Sequence, residues 1–236
     1  MRLLLISNST NPGEAYLDYP KQNIKNFLGE KSINCLFIPY AAVTFSFDEY
    51  EEKVNSRFAE IGHSVTSIHT FSNPVEAIKS AEAIIVGGGN TWQLVKMLQE
   101  KNLMAAIKEK VKEGTPYIGW SAGSNIACPS LRTTNDMPIV EPESFATLGL
   151  IPFQINPHYL DDNNNSHGGE TREVRITEFV YANQEMYVAG LREGTMLLLE
   201  NNNLKFIGSR NARIFHYGKE NFELSEKDDF NFLINN

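Results

Sequence analysis

Two cysteines in 236 residues are too few for a disulfide framework, and neither has the spacing of a metal site. Cys35 lies in an apolar run and Cys128 follows a turn-helix segment, so both are expected to be reduced packing thiols of a cytoplasmic protein. Cations are scarce: 21 Lys+Arg against 29 Asp+Glu leave a formal charge of −8. No basic cluster offsets that deficit, which argues against nucleic acid or an anionic membrane surface as partner. Long apolar runs are missing as well, and nothing approaches the roughly 18 residues of a membrane helix. The opening Met1-Arg2-Leu3-Leu4-Leu5-Ile6-Ser7-Asn8 carries only a short apolar stretch, below the roughly 7 to 15 residues of a secretory h-region. It is expected to be a strand. There is no repeat of fixed period, no block of like charge, and no ligand cluster that implies a metal or cofactor.

What is present is the alternation of an α/β protein. Short apolar runs at Arg2 to Ser7, Ile33 to Tyr40, Ser64 to Thr70, Ala83 to Val86 and Tyr117 to Trp120 read as strands of a mostly parallel central sheet. Helical periods at Phe47 to Glu60, Thr91 to Gln99 and Leu103 to Lys112 put helices on both faces of it. At about 150 residues per domain the length allows one or two domains, and one, spanning 1–236, is expected. After residue 128 prolines become frequent, and this half is expected to supply loops. Asn-rich turns stand at Asp161 to Asn165 and Asn201 to Asn203, the second between Met196 to Glu200 and Leu204 to Gly208 as an antiparallel hairpin.

Chemistry enters at Gly119-Trp120-Ser121-Ala122-Gly123, a G-x-S-x-G between an apolar run and a helix. A strand that stops, turns on small residues and starts a helix lifts the Ser121 hydroxyl above the sheet, with the Ala122 N–H beside it to face an oxyanion. Gly87-Gly88-Gly89-Asn90-Thr91 follows another apolar run. It lacks the Lys-Ser/Thr of a phosphate loop, so Gly88 or Gly89 is read as a second oxyanion donor and Asn90 as a helix cap.

A serine nucleophile needs a base and the base an orienting group. Among five histidines, His63, His69, His167 and His216 read as surface or packing residues, while His158 ends the run Phe153 to Pro157 where a strand would emerge. Two acids compete for the third place. Glu193 lies in the turn Gly190 to Gly194, and Asp136 in the polar loop Arg132 to Met137; spacing does not choose between them. With His158 and Glu193 the chain order is Ser, His, Glu, which departs from the order of α/β-hydrolases.

Several strings together resemble the peptidase E family of α-aspartyl dipeptidases, serine peptidases with a class I glutamine amidotransferase-like (flavodoxin-like) fold. They are Gly87 to Thr91, Gly119 to Asn125, Arg132 to Val140, Gln154 to His158, Gly169 to Arg172 and Gly190 to Gly194. The resemblance implies cleavage of dipeptides, and of some short peptides, after an N-terminal aspartate, with Ser121, His158 and Glu193 as the triad and Asp136 as a substrate or loop contact. It implies no cofactor and makes a homodimer an expectation. A guanidinium is the natural partner of the aspartyl side chain, Arg172 first, then Arg175 and Arg132. For the substrate α-amine, Glu170, Asp136 and Asn90 stay open. A cyanophycinase-like enzyme acting on β-Asp-Arg linkages and a silent ligand-binding module of the same fold are the rival readings; Ser121 in place of cysteine argues against an amidotransferase.

Overall fold

A computed structural model describes residues 1–161 and 169–235. Residues 162–165 of the first Asn-rich patch, and His167, lie outside the described residues. The elements run β1 (Leu3–Ile6), α1 (Lys21–Leu28), β2 (Asn34–Ile38), α2 (Phe47–Ala59), β3 (Ser64–Ser67), α3 (Pro74–Ser80), β4 (Ile84–Val86), α4 (Thr91–Glu100), α5 (Met104–Lys112), β5 (Tyr117–Trp120) and α6 (Ala122–Asn125). There follow β6 (Gln154–Asn156), α7 (Arg172–Ala182), β7 (Val188–Gly190), β8 (Met196–Glu200), β9 (Asn203–Ile207), β10 (Ala212–Phe215) and β11 (Phe222–Leu224). Among the described residues no helix is long and apolar enough to cross a membrane.

The central sheet has the order β3-β2-β4-β5-β1-β8-β9. Its first five strands are parallel, and β8 and β9 close one side antiparallel. Alternation decides the layers, because successive side chains of a strand face opposite ways. Leu3 and Leu5 enter one core with α3, α4, α5 and α6, whereas Leu4 and Ile6 enter the other with Ile24 and Phe27 of α1 and Tyr50, Val54 and Phe58 of α2. Burying both faces explains why these strands read as unbroken apolar runs. The helices start where their sequence caps them: Ser46 and Glu49 form a reciprocal capping box on α2, and Asn90 accepts from Gln93 N–H on α4.

The second half of the chain does more than supply loops. β6, β7, β10 and β11 form a separate four-stranded sheet in the order β11-β10-β7-β6. One of its faces contributes Ile155, Ala189 and Ile214 to the core that holds Leu3 and Leu5, and the other packs Val188 and Phe215 against Ile176 and Val180 of α7. Its strands are three or four residues long, too short to show a period. The expected run Ser64 to Thr70 is also divided, into β3 and a 3₁₀ turn at Ile68–Thr70. The hairpin of β8 and β9 pairs Glu200 with Asn203, and Asn201 and Asn202 take φ of 51° and 57°, the left-handed turn that asparagine tolerates.

Two neighbouring strands, β1 and β5, send their chains to opposite faces, since α1 lies on one and α6 on the other. Such a divergence leaves a crevice at the carboxyl ends of the strands, which is where open α/β sheets hold their ligands.

Candidate active site

Ser121 stands at that crevice. All of β5 is buried, and the chain then turns so abruptly that Ser121 takes φ 53° and ψ −112° before α6 begins. A non-glycine residue there stores about 1–3 kcal/mol of strain. Two neighbours make the turn possible. The Ser121 N–H donates to Ile6 O of β1 at 3.0 Å, and Gly123 passes so near β4 that a Cβ would lie 2.2 Å from Val86 O. The Ala122 N–H, first in α6, has no intrahelical acceptor and lies beside the Ser121 hydroxyl.

His158 and Glu193 reach Ser121 from the second sheet. His158 lies two residues after β6, at φ 52°, and Glu193 lies in the turn between β7 and β8. Ser121 Oγ is 2.9 Å from His158 Nε2, and His158 Nδ1 is 2.9 Å from Glu193 Oε1. A carboxylate only accepts, so Nδ1 carries the proton and the Nε2 lone pair faces the serine hydroxyl. The three residues do not share one sheet rim: they meet across the seam between two sheets.

That seam is closed by residues that the sequence reading passed over. Ser7 Oγ donates to Leu191 O at 2.8 Å and accepts from His158 N–H at 3.0 Å. Asn8 Oδ1 accepts from Gly194 N–H at 2.8 Å and from the Tyr19 hydroxyl at 2.7 Å. The available signal was two polar residues directly after Leu3-Leu4-Leu5-Ile6. Asn135 adds a further tie, its Nδ2 donating to Pro157 O at 2.6 Å.

The glycine loop faces Ser121 from β4. At Gly89, φ is 136° and a Cβ would lie 2.2 Å from Ala41 O, so no other residue fits. Tyr50, missed in the sequence, anchors the loop: its hydroxyl donates to Gly88 O at 2.9 Å and accepts from Trp120 Nε1 at 3.2 Å. Burial pushes the Tyr50 pKa up, so it remains a donor. Because the peptide bond is trans, the Gly89 N–H points away from Tyr50.

Asp136 does not approach His158 as an orienting acid. Its Oδ2 accepts from Thr91 N–H at 2.7 Å, Thr91 Oγ1 at 2.6 Å and Thr134 Oγ1 at 2.9 Å, which fixes the start of α4. Asn90 is likewise engaged at both ends, accepting from Gln93 N–H and donating to Met137 O. Glu170 is exposed and faces Arg175 at 3.9 Å.

Beside Asp136 lies a polar pocket of about 190 Å³, lined by Arg132, Thr133, Thr134, Asn135, Asn156, Arg172, Arg175, Ile176 and Phe179 as well. Arg172 is the first residue of α7, where a cation opposes the helix dipole by about 0.3–1 kcal/mol. Its Nη1 is buried without a hydrogen-bond partner among the described residues, and burial, then the charge of Arg175, lowers its pKa. Arg132 is exposed and stacks over Phe145 instead.

The remaining reactive groups lie apart from this chemistry. Both cysteines are buried, and burial pushes their thiols up to about 12, so they are inert at neutral pH. Asp48, Glu51 and His69 bring ligand atoms within 4.8 Å of one another, but His69 is bonded to Asp48 and Ser67, and Glu51 accepts from Ser67 N–H.

The profile of Peptidase family S51 matches residues 3–207. A peptidase E of Nostoc is 51% identical over 233 residues, covering 99% of this chain and 96% of its own. One of Salmonella arizonae is 47% identical over 220 residues, covering 93% and 96%. Among solved structures, a peptidase from an acI-B1 actinobacterium superposes with a TM-score of 0.71 at 18% identity, covering 97% of this chain and 96% of that one. A putative peptidase E of Listeria monocytogenes gives 0.63 at 22% identity, covering 88% and 98%. These two show the fold.

Proposed function

The chain belongs to peptidase family S51, and on that premise we propose that it hydrolyses dipeptides and short peptides after an N-terminal aspartate, with Ser121 as nucleophile. The observation that carries the reading is the continuous relay of 2.9 Å contacts from Ser121 through His158 to Glu193. Ser121 Oγ attacks the scissile carbonyl while His158 Nε2 takes its proton. Glu193 holds the imidazole tautomer and stabilises the imidazolium. His158 then protonates the leaving amine, and the same exchange with water releases the aspartyl group. Donors aimed at the developing oxyanion are the N–H groups of Ala122 and of Gly88 or Gly89, each worth about 3–4 kcal/mol in such sites.

Selectivity is assigned to the pocket that holds Asp136 and Arg172, whose wall residue Asn135 is bonded to Pro157 O, next to His158. A half-buried guanidinium whose Nη1 is buried and unpartnered among the described residues suits an anion, and the aspartyl side chain supplies one in the planar geometry that Arg172 can bind in two-pronged fashion. Of the groups considered for the substrate α-ammonium, Asn90 is occupied by capping and Glu170 faces Arg175, which leaves the Asp136 carboxylate on the pocket wall. The inert thiols and the acidic surface suit a cytoplasmic enzyme acting on free peptides, with no cofactor in the cycle.

The test is a dipeptide panel. Asp-Leu should be turned over at least about 100-fold faster than Ala-Leu, and Arg172→Lys should cut that preference about 10-fold or more by losing the fork. No turnover of Asp-Leu by folded protein would remove the aspartyl reading.

A further inference from the structure

The relay is assembled from two sheets that share no strand pairing, so its distances depend on whatever fixes one sheet against the other. Residues 6–8, at the end of β1, touch all three of its segments. Ile6 O accepts from Ser121 N–H at 3.0 Å and from Ser124 Oγ at 2.7 Å. Ser7, fully buried, reaches the other side through the two bonds of its hydroxyl, to His158 N–H and Leu191 O, while its own N–H donates to Thr195 O at 3.0 Å. Asn8, also buried, holds Gly194 N–H.

The directions of these bonds are forced. A carbonyl accepts only, so the single Ser7 hydroxyl proton goes to Leu191 O and a lone pair remains for His158 N–H. Only the amide oxygen of Asn8 can take Gly194 N–H, and its Nδ2 is then spent on Thr10 O and Asn11 Oδ1, each at 2.9 Å. The turn that carries Glu193 is therefore gripped at Leu191, Gly194 and Thr195 by two consecutive residues. His158, turned into left-handed backbone at φ 52°, gives its N–H to the same hydroxyl.

We infer that Ser7 and Asn8 are positioning residues for this reaction, holding the base and the orienting acid in register with the nucleophile across the seam. The inference rests on the reading of Ser121, His158 and Glu193 as the catalytic relay. Neither residue touches the reacting atoms. Ser7→Ala removes the shared hydroxyl and with it the hold of residue 7 on His158 N–H and Leu191 O, leaving the two segments joined only by their own backbone bonds, Tyr159 N–H to Leu191 O and Leu191 N–H to Asn156 O, each at 2.9 Å. A displacement near 1 Å between serine and imidazole costs about 100-fold in rate, while the Arg172 pocket, built from other segments, keeps its affinity.

The experiment measures two rates on folded protein, verified by circular dichroism: kcat and KM for Asp-Leu, and sulfonylation of Ser121 by phenylmethanesulfonyl fluoride, which needs the serine–imidazole contact but not the aspartyl pocket. Wild type, Ser7→Ala, Ser7→Thr and Asn8→Ala are compared. The expected result is a fall of about 100-fold in both kcat and sulfonylation for Ser7→Ala, with KM within about twofold and Ser7→Thr recovering part of both rates. Asn8→Ala should lose about 10-fold in both. A folded Ser7→Ala whose two rates stay within about threefold of wild type overturns the inference. Should Ser7→Ala fail to fold, Asn8→Ala decides by the same threshold. Wild type that is sulfonylated yet ignores Asp-Leu would sink the substrate reading alone, and the sulfonylation arm would still judge Ser7 and Asn8.

Discussion

The two sheets of this molecule bring their residues to the proposed active site by different means. In the central sheet the proposed nucleophile is a local product: buried β5, the tight turn at Gly119 to Gly123 and α6 lie within ten residues of one another, and the turn is braced by the close approach of Gly123 to β4 and by hydrogen bonds from Tyr117 to Gly123 O and from Ser124 to Gly119 O. In the second sheet the proposed base and acid are products of distance. His158 and Glu193 are 35 residues apart, on loops after short strands, and are tied by side chains from β1 more than 150 residues earlier in the chain. The strained turn at Ser121 is thus prescribed by a short motif, whereas its contact with His158 and Glu193 depends on packing between layers.

The comparison breaks most visibly at the third relay position. Glu193→Gln should lower kcat by about 10²–10⁴-fold, because the amide no longer enforces the productive tautomer, while Asp136→Asn should lower kcat by less than about 10-fold and act mainly on KM. Steady-state kinetics on the folded variants would show it; the reverse order would move the acid to Asp136.

A second, somewhat smaller effect belongs to the central sheet. Gly123→Ala drives a Cβ into Val86 O and should destabilise the protein by about 3 kcal/mol, near the upper end of overpacking costs. A thermal melt unchanged from wild type would mean that the turn relaxes freely and that the elbow is not rigid.

The smallest effect tests the electrostatics of the second sheet. Arg192, beside Glu193, pairs with Asp161 and Glu223, and the Arg192 hydrogen bond holds Asp161 below the usual carboxylate range. A carboxyl whose folded pKa is depressed adds stability that is complete above its unfolded value and disappears as pH falls through its folded value. Asp161→Asn should therefore cost at most about 1 kcal/mol near pH 7, the Asp161 carboxylate being well exposed, and the gap from wild type should close below about pH 4. Melts at pH 7 and pH 3 with an unchanged gap would contradict the pairing.

Much of the central sheet was legible from its residues. Runs buried on both faces announce β1, β2, β4 and β5, and the capping of α2 and α4 is written at Ser46 and Asn90. Ser121 was legible because its turn needs small residues at fixed offsets. The second sheet was not, since three-residue strands such as Gln154–Asn156 and Phe222–Leu224 carry no period. The residues Ser7, Asn8 and Tyr50 were hidden for a related reason: a buried serine, asparagine or tyrosine shows its partner only once distant segments are folded together. Asp136 and Asn90 stood out as polar groups near the motif, but the helix start claims Asn90 and one carboxylate oxygen, Oδ2, of Asp136.

The account depends on the Ser121 hydroxyl being activated by His158. Intact-mass and peptide mapping after a fluorophosphonate, on wild type and on folded His158→Gln, tests this most directly. The account predicts one adduct, on Ser121, formed in wild type and slowed by about 10³-fold or more in the variant. Equal labelling of both proteins, or an adduct elsewhere with Ser121 untouched, would contradict it.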